Sequence, residues 1–434
     1  MTNKQKKLIL GTSIVFILLR LVFAYIFKDS FFERGNRHTS INQIAMNLLE
    51  NGTFGLSVGN PSAANEPIYT SFIAFSYWLF GTNWFGPAFL QSLILGFNAF
   101  LIYLLTHELW ANKRLSFLAL VAVNLYPFYF TQSISVSDTV FYTGLLALSM
   151  YLSIRSMASK KIFFWVITGV VWGLLLLTRF SGISIFGMVL LFQFLYHGWN
   201  YLPRLLIIGV TTLITLLPWF YRNYTHTEAF FLSSHGSIEI WMGHNSMSKD
   251  VIENDISVDI LRNEKDLVPG LESLHFEDFP NDISYEYAEG KLYLAAAMDY
   301  LKNHPISLIK MAPLKFVKFW SIFKNPKSNS RDDTKSGKGM SWYWDTLYTL
   351  YFTPLLILFL FGLTSLIVSS NRPKLNDTFL VILAAFTGYS ILHTFVFGFT
   401  RLRVPLDQFM IVIALYGVNR FSLFKFSSNL QFNK

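Results

Sequence analysis

Apolar runs of membrane-spanning length recur along almost the whole chain, and this recurrence limits the fold more than any other feature. They fall at roughly 8–27, 84–106, 114–131, 137–155, 161–178, 180–198, 203–221, 346–369, 377–397 and 404–421, close to the ~20 residues that one crossing needs. Hydrocarbon offers no partner for backbone N–H and C=O, so each run must close its own hydrogen bonds as a helix. With 53% hydrophobic and 14% charged residues, the chain is far less charged than a soluble domain, where about a quarter of residues carry charge. The expected class is an all-α polytopic membrane protein with about ten transmembrane helices.

Charge sets the expected topology. Lys4, Lys6 and Lys7, then Lys113 and Arg114, Arg155, Lys160 and Lys161, Arg204, Arg372 and Lys374, and finally Arg420, Lys425 and Lys434 all fall on one side if the chain crosses ten times. That side is the cytoplasm by the positive-inside rule, and it holds both termini. The net charge of +9 is therefore topogenic and points to no nucleic-acid partner. The start of the chain resembles a signal peptide, but its apolar run is long, carries Arg20 and lacks a small-x-small cleavage site, so it reads as a retained first span.

Two large loops remain on the outer side. The expected division is a 1–222 transmembrane module whose first outer loop, 28–81, carries interfacial helices; a 223–344 outer loop; and 345–434 with the last transmembrane helices and a cytoplasmic tail. Ile41 to Leu49 is amphipathic, and Pro67 to Phe80 is an apolar helix too short to span, placed at the interface or re-entrant. In the second loop only 244–290 looks soluble. Tyr285 to Phe323 reads as one amphipathic helix with Lys310, Lys315 and Lys318 among Phe316, Phe319 and Trp320, while the polar stretch Asn325 to Gly339 reads as mobile.

Chemistry is expected at the outer ends of the spans. Arg37, Arg179, Arg222, Arg401 and Arg403 lie there, and a guanidinium grips phosphate bidentately while staying charged. One such residue is explained by snorkelling; several on one face read as a shared site for an anionic, lipid-linked substrate. Arg401-Leu402-Arg403-Val404-Pro405 is the sharpest case, with the proline placed to start a helix. Among acids, Asp138 sits in Ser137-Asp138-Thr139, which is equally a good helix cap, and Glu66 precedes Pro67 as a first-turn acid. Asp29 and Glu33 are weaker candidates. The chain has no cysteine, which excludes disulfides, thiolate metal sites and a cysteine nucleophile. His107-Glu108 lacks a second histidine at helical spacing, no Gly-rich nucleotide loop is present, and no ligand cluster calls for a metal or other cofactor.

In order and spacing, several blocks resemble the bacterial GT-C glycosyltransferases related to protein O-mannosyltransferases and to the aminoarabinose transferase of lipid A. These are Ala45 to Leu49 with Asn51-Gly52-Thr53-Phe54, Glu66-Pro67-Ile68-Tyr69, Asp138, Leu177-Thr178-Arg179, Pro218 to Asn223, Trp241 to Asn245, Asn303-His304-Pro305 and Arg401 to Leu406. The resemblance covers about 8–420. It implies a GT-C-like fold with two large outer-side loops in a bacterial plasma membrane, and a sugar moved from a polyprenyl-phosphate carrier to a lipid, glycan or protein acceptor on the outer face. Asp138 and Glu66 would then be catalytic, and Arg401, Arg403, Arg222, Arg179, Arg37 and His244 would hold substrate. One departure stands out. The family usually has an aspartate eight residues before the position of Ala45, and Arg37 occupies that place; Ile41 also stands where tyrosine is common. Either Glu66, Asp138, Asp29 or Glu33 supplies the base, or the register is shifted, or this copy has lost transfer activity. The competing readings are a non-catalytic or flippase-like transport protein for lipid-linked sugars and a polysaccharide polymerase or ligase.

Overall fold

The computed structural model describes residues 2–33, 39–254, 261, 264–322, 338–368 and 376–420. In chain order, α1 (Asn3–Lys28) is followed by α2 (Ser40–Asn51) and α3 (Pro67–Phe80). Then come α4 (Phe85–Trp110), α5 (Lys113–Asn124), α6 (Pro127–Gln132), α7 (Thr139–Ala158), α8 (Ile162–Leu176), α9 (Ile183–His197) and α10 (Leu202–Thr227). The second long segment holds α11 (His235–Gly243), α12 (Ser248–Glu253), α13 (Asp282–Asn303) and α14 (Pro305–Phe319), and α15 (Lys338–Val368), α16 (Asp377–Phe395) and α17 (Thr400–Arg420) come last. Among the described residues seven helices are long and apolar enough to cross a membrane, and the chain is an integral membrane protein.

Proline fixes several boundaries, because it lacks an N–H and suits only the first turn of a helix. Pro67 opens α3 over the expected 67–80. The expected span 114–131 is instead two helices, because Pro127 starts α6 after α5 has ended at Asn124. The expected helix 285–323 likewise breaks at His304, before Pro305 opens α14. The reading of Pro405 as a helix start needs correction. α17 already begins at Thr400 and carries Pro405 inside, so Arg401 and Arg403 lie in its first turn. The stretch 325–337 lies outside the described residues.

Close packing comes from small residues. A Cβ on Gly169 would lie 2.5 Å from the Ile208 carbonyl oxygen, and one on Gly173 would lie 2.5 Å from Thr215 Cβ, so α8 and α10 meet at backbone distance. α17 is the most enclosed helix. Every residue from Arg403 to Ala414 is buried, and such all-round burial marks a helix surrounded by others.

At one end of the bundle the two long segments fasten to each other. Asn60 Nδ2 donates to Asp282 Oδ1, and Asn60 Oδ1 accepts the Asp282 N–H at 2.8 Å. Glu286 accepts from Ser62 Oγ at 2.5 Å and from the Ala63 N–H at 2.6 Å, and the Ser234 N–H reaches Ala63 O at 3.1 Å. This strap holds the chain just before Glu66.

Candidate active site

Three helix ends converge beside the strap. Glu66 occupies the position before α3, but its carboxylate caps nothing; it accepts from Ser233 Oγ at 3.1 Å. The Ile68 N–H bonds Leu177 O at 3.3 Å, which ties the start of α3 to the end of α8 and to Arg179 just beyond it. Arg179 Nε donates to Asp138 Oδ2 at 2.8 Å, and its Nη2 donates to Oδ1. Asp138 precedes α7 without a capping bond, so its carboxylate serves a bidentate ion pair. The guanidinium lies 5.2 Å from the Tyr142 ring centroid, and its buried Nη1 has no hydrogen-bond partner among the described residues.

Electrostatics separate the two carboxyls. The Glu66 group is half-buried, and desolvation, joined by the charges of Asp138 and Glu239, raises it to about 7. Asp138 has a full counter-charge in contact. One carboxyl is thus poised to take or give a proton near neutrality, and the other is locked to an arginine.

The flank of this site comes from α16. Tyr389 Oη lies 3.2 Å from Ser181 Oγ, and its ring packs edge-on at 4.5 Å against His393. His393 Nδ1 faces Phe397 O at 2.8 Å; donating there leaves Nε2 as an acceptor, and that buried atom has no partner among the described residues.

The other expected residues sit elsewhere. Arg403 is fully buried and bonds Asp407 Oδ1 (3.0 Å), Phe319 O (2.9 Å), Ser321 O (3.1 Å) and Tyr348 Oη, while Asp407 also accepts from Tyr126 Oη at 2.5 Å. Its fork is spent inside the protein, joining α17, α14 and α15. Arg222 bonds Phe54 O at 3.1 Å and Asn223 Oδ1 at 2.9 Å and covers the Trp219 ring at 4.3 Å, so it braces the start of the strap. His244 is buried, with Nε2 2.7 Å from Phe395 O and Lys315 Nζ 3.4 Å away. Burial first, then Lys315, pushes His244 down to about 4, and burial lowers Lys315 to about 7. Arg37 and the Arg401 side chain lie outside the described residues.

The sequence reading passed over Glu286, His393 and Asp407, and it placed Lys315 among interfacial lysines, whereas the structure buries it. Asp407 was signalled, being an acid in an apolar run four residues after Arg403. Glu286 carried no signal, because its partners are more than 220 residues away. Among the described residues, no three His, Asp or Glu side chains gather to hold a metal ion.

Residues 63–221 match the family model described as dolichyl-phosphate-mannose-protein mannosyltransferase, a stretch that includes Glu66, Asp138 and Arg179. Over that stretch the chain is similar to this mannosyltransferase family. An uncharacterized protein of Aquifex aeolicus is 28% identical over 192 residues, 43% of this chain and 38% of its own length. The chain thus spans well under half of that relative. Among solved structures, ArnT from Cupriavidus metallidurans is similar in its apo state, with 13% identity, TM-score 0.42, 94% of this chain and 77% of that one covered. The same protein bound to undecaprenyl phosphate gives 12%, 0.43, 97% and 78%. An Archaeoglobus fulgidus oligosaccharyltransferase complexed with zinc and sulfate gives 12%, 0.38, 93% and 53%.

Proposed function

We propose that the chain is a membrane glycosyltransferase that moves a sugar from a polyprenyl-phosphate carrier to an acceptor on the outer face, with both termini cytoplasmic. The observation that carries the reading is the half-buried Glu66 carboxyl, raised to about 7 and set beside the Asp138–Arg179 pair within the matched stretch. Glu66 takes the proton of an acceptor hydroxyl or amine as that atom bonds the anomeric carbon. The bond from that carbon to the phosphate oxygen breaks, and the carrier phosphate leaves with the electron pair. Glu66 thereby fills the role left open by Arg37.

Arg179 binds the leaving phosphate through Nη1, while Asp138 fixes the guanidinium plane. Arg401 and Arg37 are assigned to the same phosphate on the resemblance, since Arg37 and the Arg401 side chain lie outside the described residues. Arg222, Arg403 and His244 support the site by holding the strap, α17 and α11 in place. Purified protein in lipid, given radiolabelled polyprenyl-phosphate sugars and a panel of acceptors, should release the carrier phosphate. No turnover with any pair would favour a non-catalytic or transport role.

That second reading has one observation of its own. Arg20, within α1, is fully buried and, among the described residues, bonds only Asn124 through Nη2 and leaves Nε and Nη1 without hydrogen-bond partners. Transport of a lipid-linked sugar between leaflets by reconstituted protein, lost in Arg20→Met, would decide for it.

A further inference from the structure

A cavity of about 330 Å³ opens between α11 and α13. Leu292, Ala295, Asp299 and Tyr300 line it from one face of α13, and Trp241 lines it from the end of α11. Ala295 leaves the hollow that a larger side chain would fill. Tyr300 stacks on the His304 ring at 4.7 Å and 25°, which holds both rings in place at the rim. Asn303 Nδ2 donates to Asp299 Oδ2 at 3.1 Å and orients that exposed carboxylate.

Among the described residues the charge lining the cavity has one sign: Asp299 lines it, no described lysine or arginine does, and α13 ends at this rim with the negative pole of its dipole. Phosphates and carboxylates are repelled, while hydroxyl and amine donors are attracted. Aromatic rings suit the apolar C–H face of a sugar, and acceptors at the rim suit its hydroxyls. The volume falls at the small end of the range for ligand pockets.

We propose that this cavity is a subsite for an uncharged or amino-bearing sugar unit of the acceptor, an assignment that rests on the transferase reading only for the word acceptor. α11 links it to the candidate active site: its start follows Ser233, the partner of Glu66, and its far end carries Trp241. The separation along the helix is on the order of 10 Å. The subsite would therefore take a unit removed from the reacting one.

Binding can be read without turnover, so failure here and failure of the proposed reaction are separable. The full chain in lipid nanodiscs is studied by saturation-transfer NMR with three disaccharides, of glucosamine, N-acetylglucosamine and galacturonic acid. The first two should receive saturation, and the anionic one should bind about tenfold more weakly, the order expected for a like-charge contact near a surface. Ala295→Trp should abolish the signals, and Asp299→Asn, a surface change that spares the fold, should weaken the glucosamine dimer most. Silence from all three sugars, equal binding of the galacturonate dimer, or signals unchanged in both variants would overturn the assignment.

Discussion

Glu286→Gln tests the strap that positions Glu66. Glu286 is buried, and desolvation raises its carboxyl to about 7 from an ordinary 4.5 despite the bonds from Ser62 and Ala63. A carboxyl raised by folding stabilises the closed strap fully below 4.5, and that contribution is lost as pH rises through about 7. The span from 4.5 to about 7, at about 1.4 kcal/mol for each pH unit, is about 3–4 kcal/mol, or roughly three-hundredfold in the opening equilibrium, most of it falling between pH 5 and 8. Gln copies the protonated acid, since its Oε1 can accept from the Ala63 N–H while its Nε2 donates to Ser62 Oγ. The chain has no cysteine, so Ala63→Cys places a single thiol at a fully buried position. Its labelling rate then reports strap opening. With Glu286 in place, labelling should accelerate about a hundredfold between pH 5 and 8 beyond the intrinsic thiol chemistry. In the Glu286→Gln background that excess should vanish, and the comparison cancels the reagent's own pH dependence. Equal excess acceleration in the two backgrounds would refute the argument, because the titrating group would then lie elsewhere.

Three further outcomes follow from the same geometry. Glu66→Gln should lower turnover by about 10²–10⁴ with the fold intact, measured as carrier-phosphate release; near-normal rates would remove Glu66 as the base. Asp138→Asn leaves Arg179 charged and without its anion, so thermal stability and kcat should both fall, and Asp138→Glu should restore part of each; an unchanged melting point would show that the pair is not structural. Arg403→Ala strands Asp407 in the interior and should cost about 3–5 kcal/mol, read as a large drop in Tm. A variant that folds normally and loses only donor affinity would instead place Arg403 on the phosphate.

Much of the fold was legible because its causes are local. Apolar runs of spanning length must be helices, and Pro67, Pro127 and Pro305 fix where helices begin. The break before Pro127 was readable and passed over, since hydropathy averages across a proline. The site was legible only in part. Asp138, Glu66 and Arg179 stood out as charges at span ends, but span-end position does not say which charges meet.

Two arginines show the difference most clearly. By sequence, Arg179 and Arg403 are alike, each a cation at the edge of an apolar run. The composition and spacing of this chain determined that it is a helical membrane protein with its ionisable groups toward helix ends. Tertiary structure alone decided that Arg179 pairs with Asp138 and keeps Nη1 without a hydrogen-bond partner among the described residues, whereas Arg403 closes its fork on Asp407 and the Phe319 carbonyl. The physical reason is range. Helix formation and membrane insertion depend on neighbours within a few residues, but the partner of a buried charge is whatever polar atom the packed bundle brings to it.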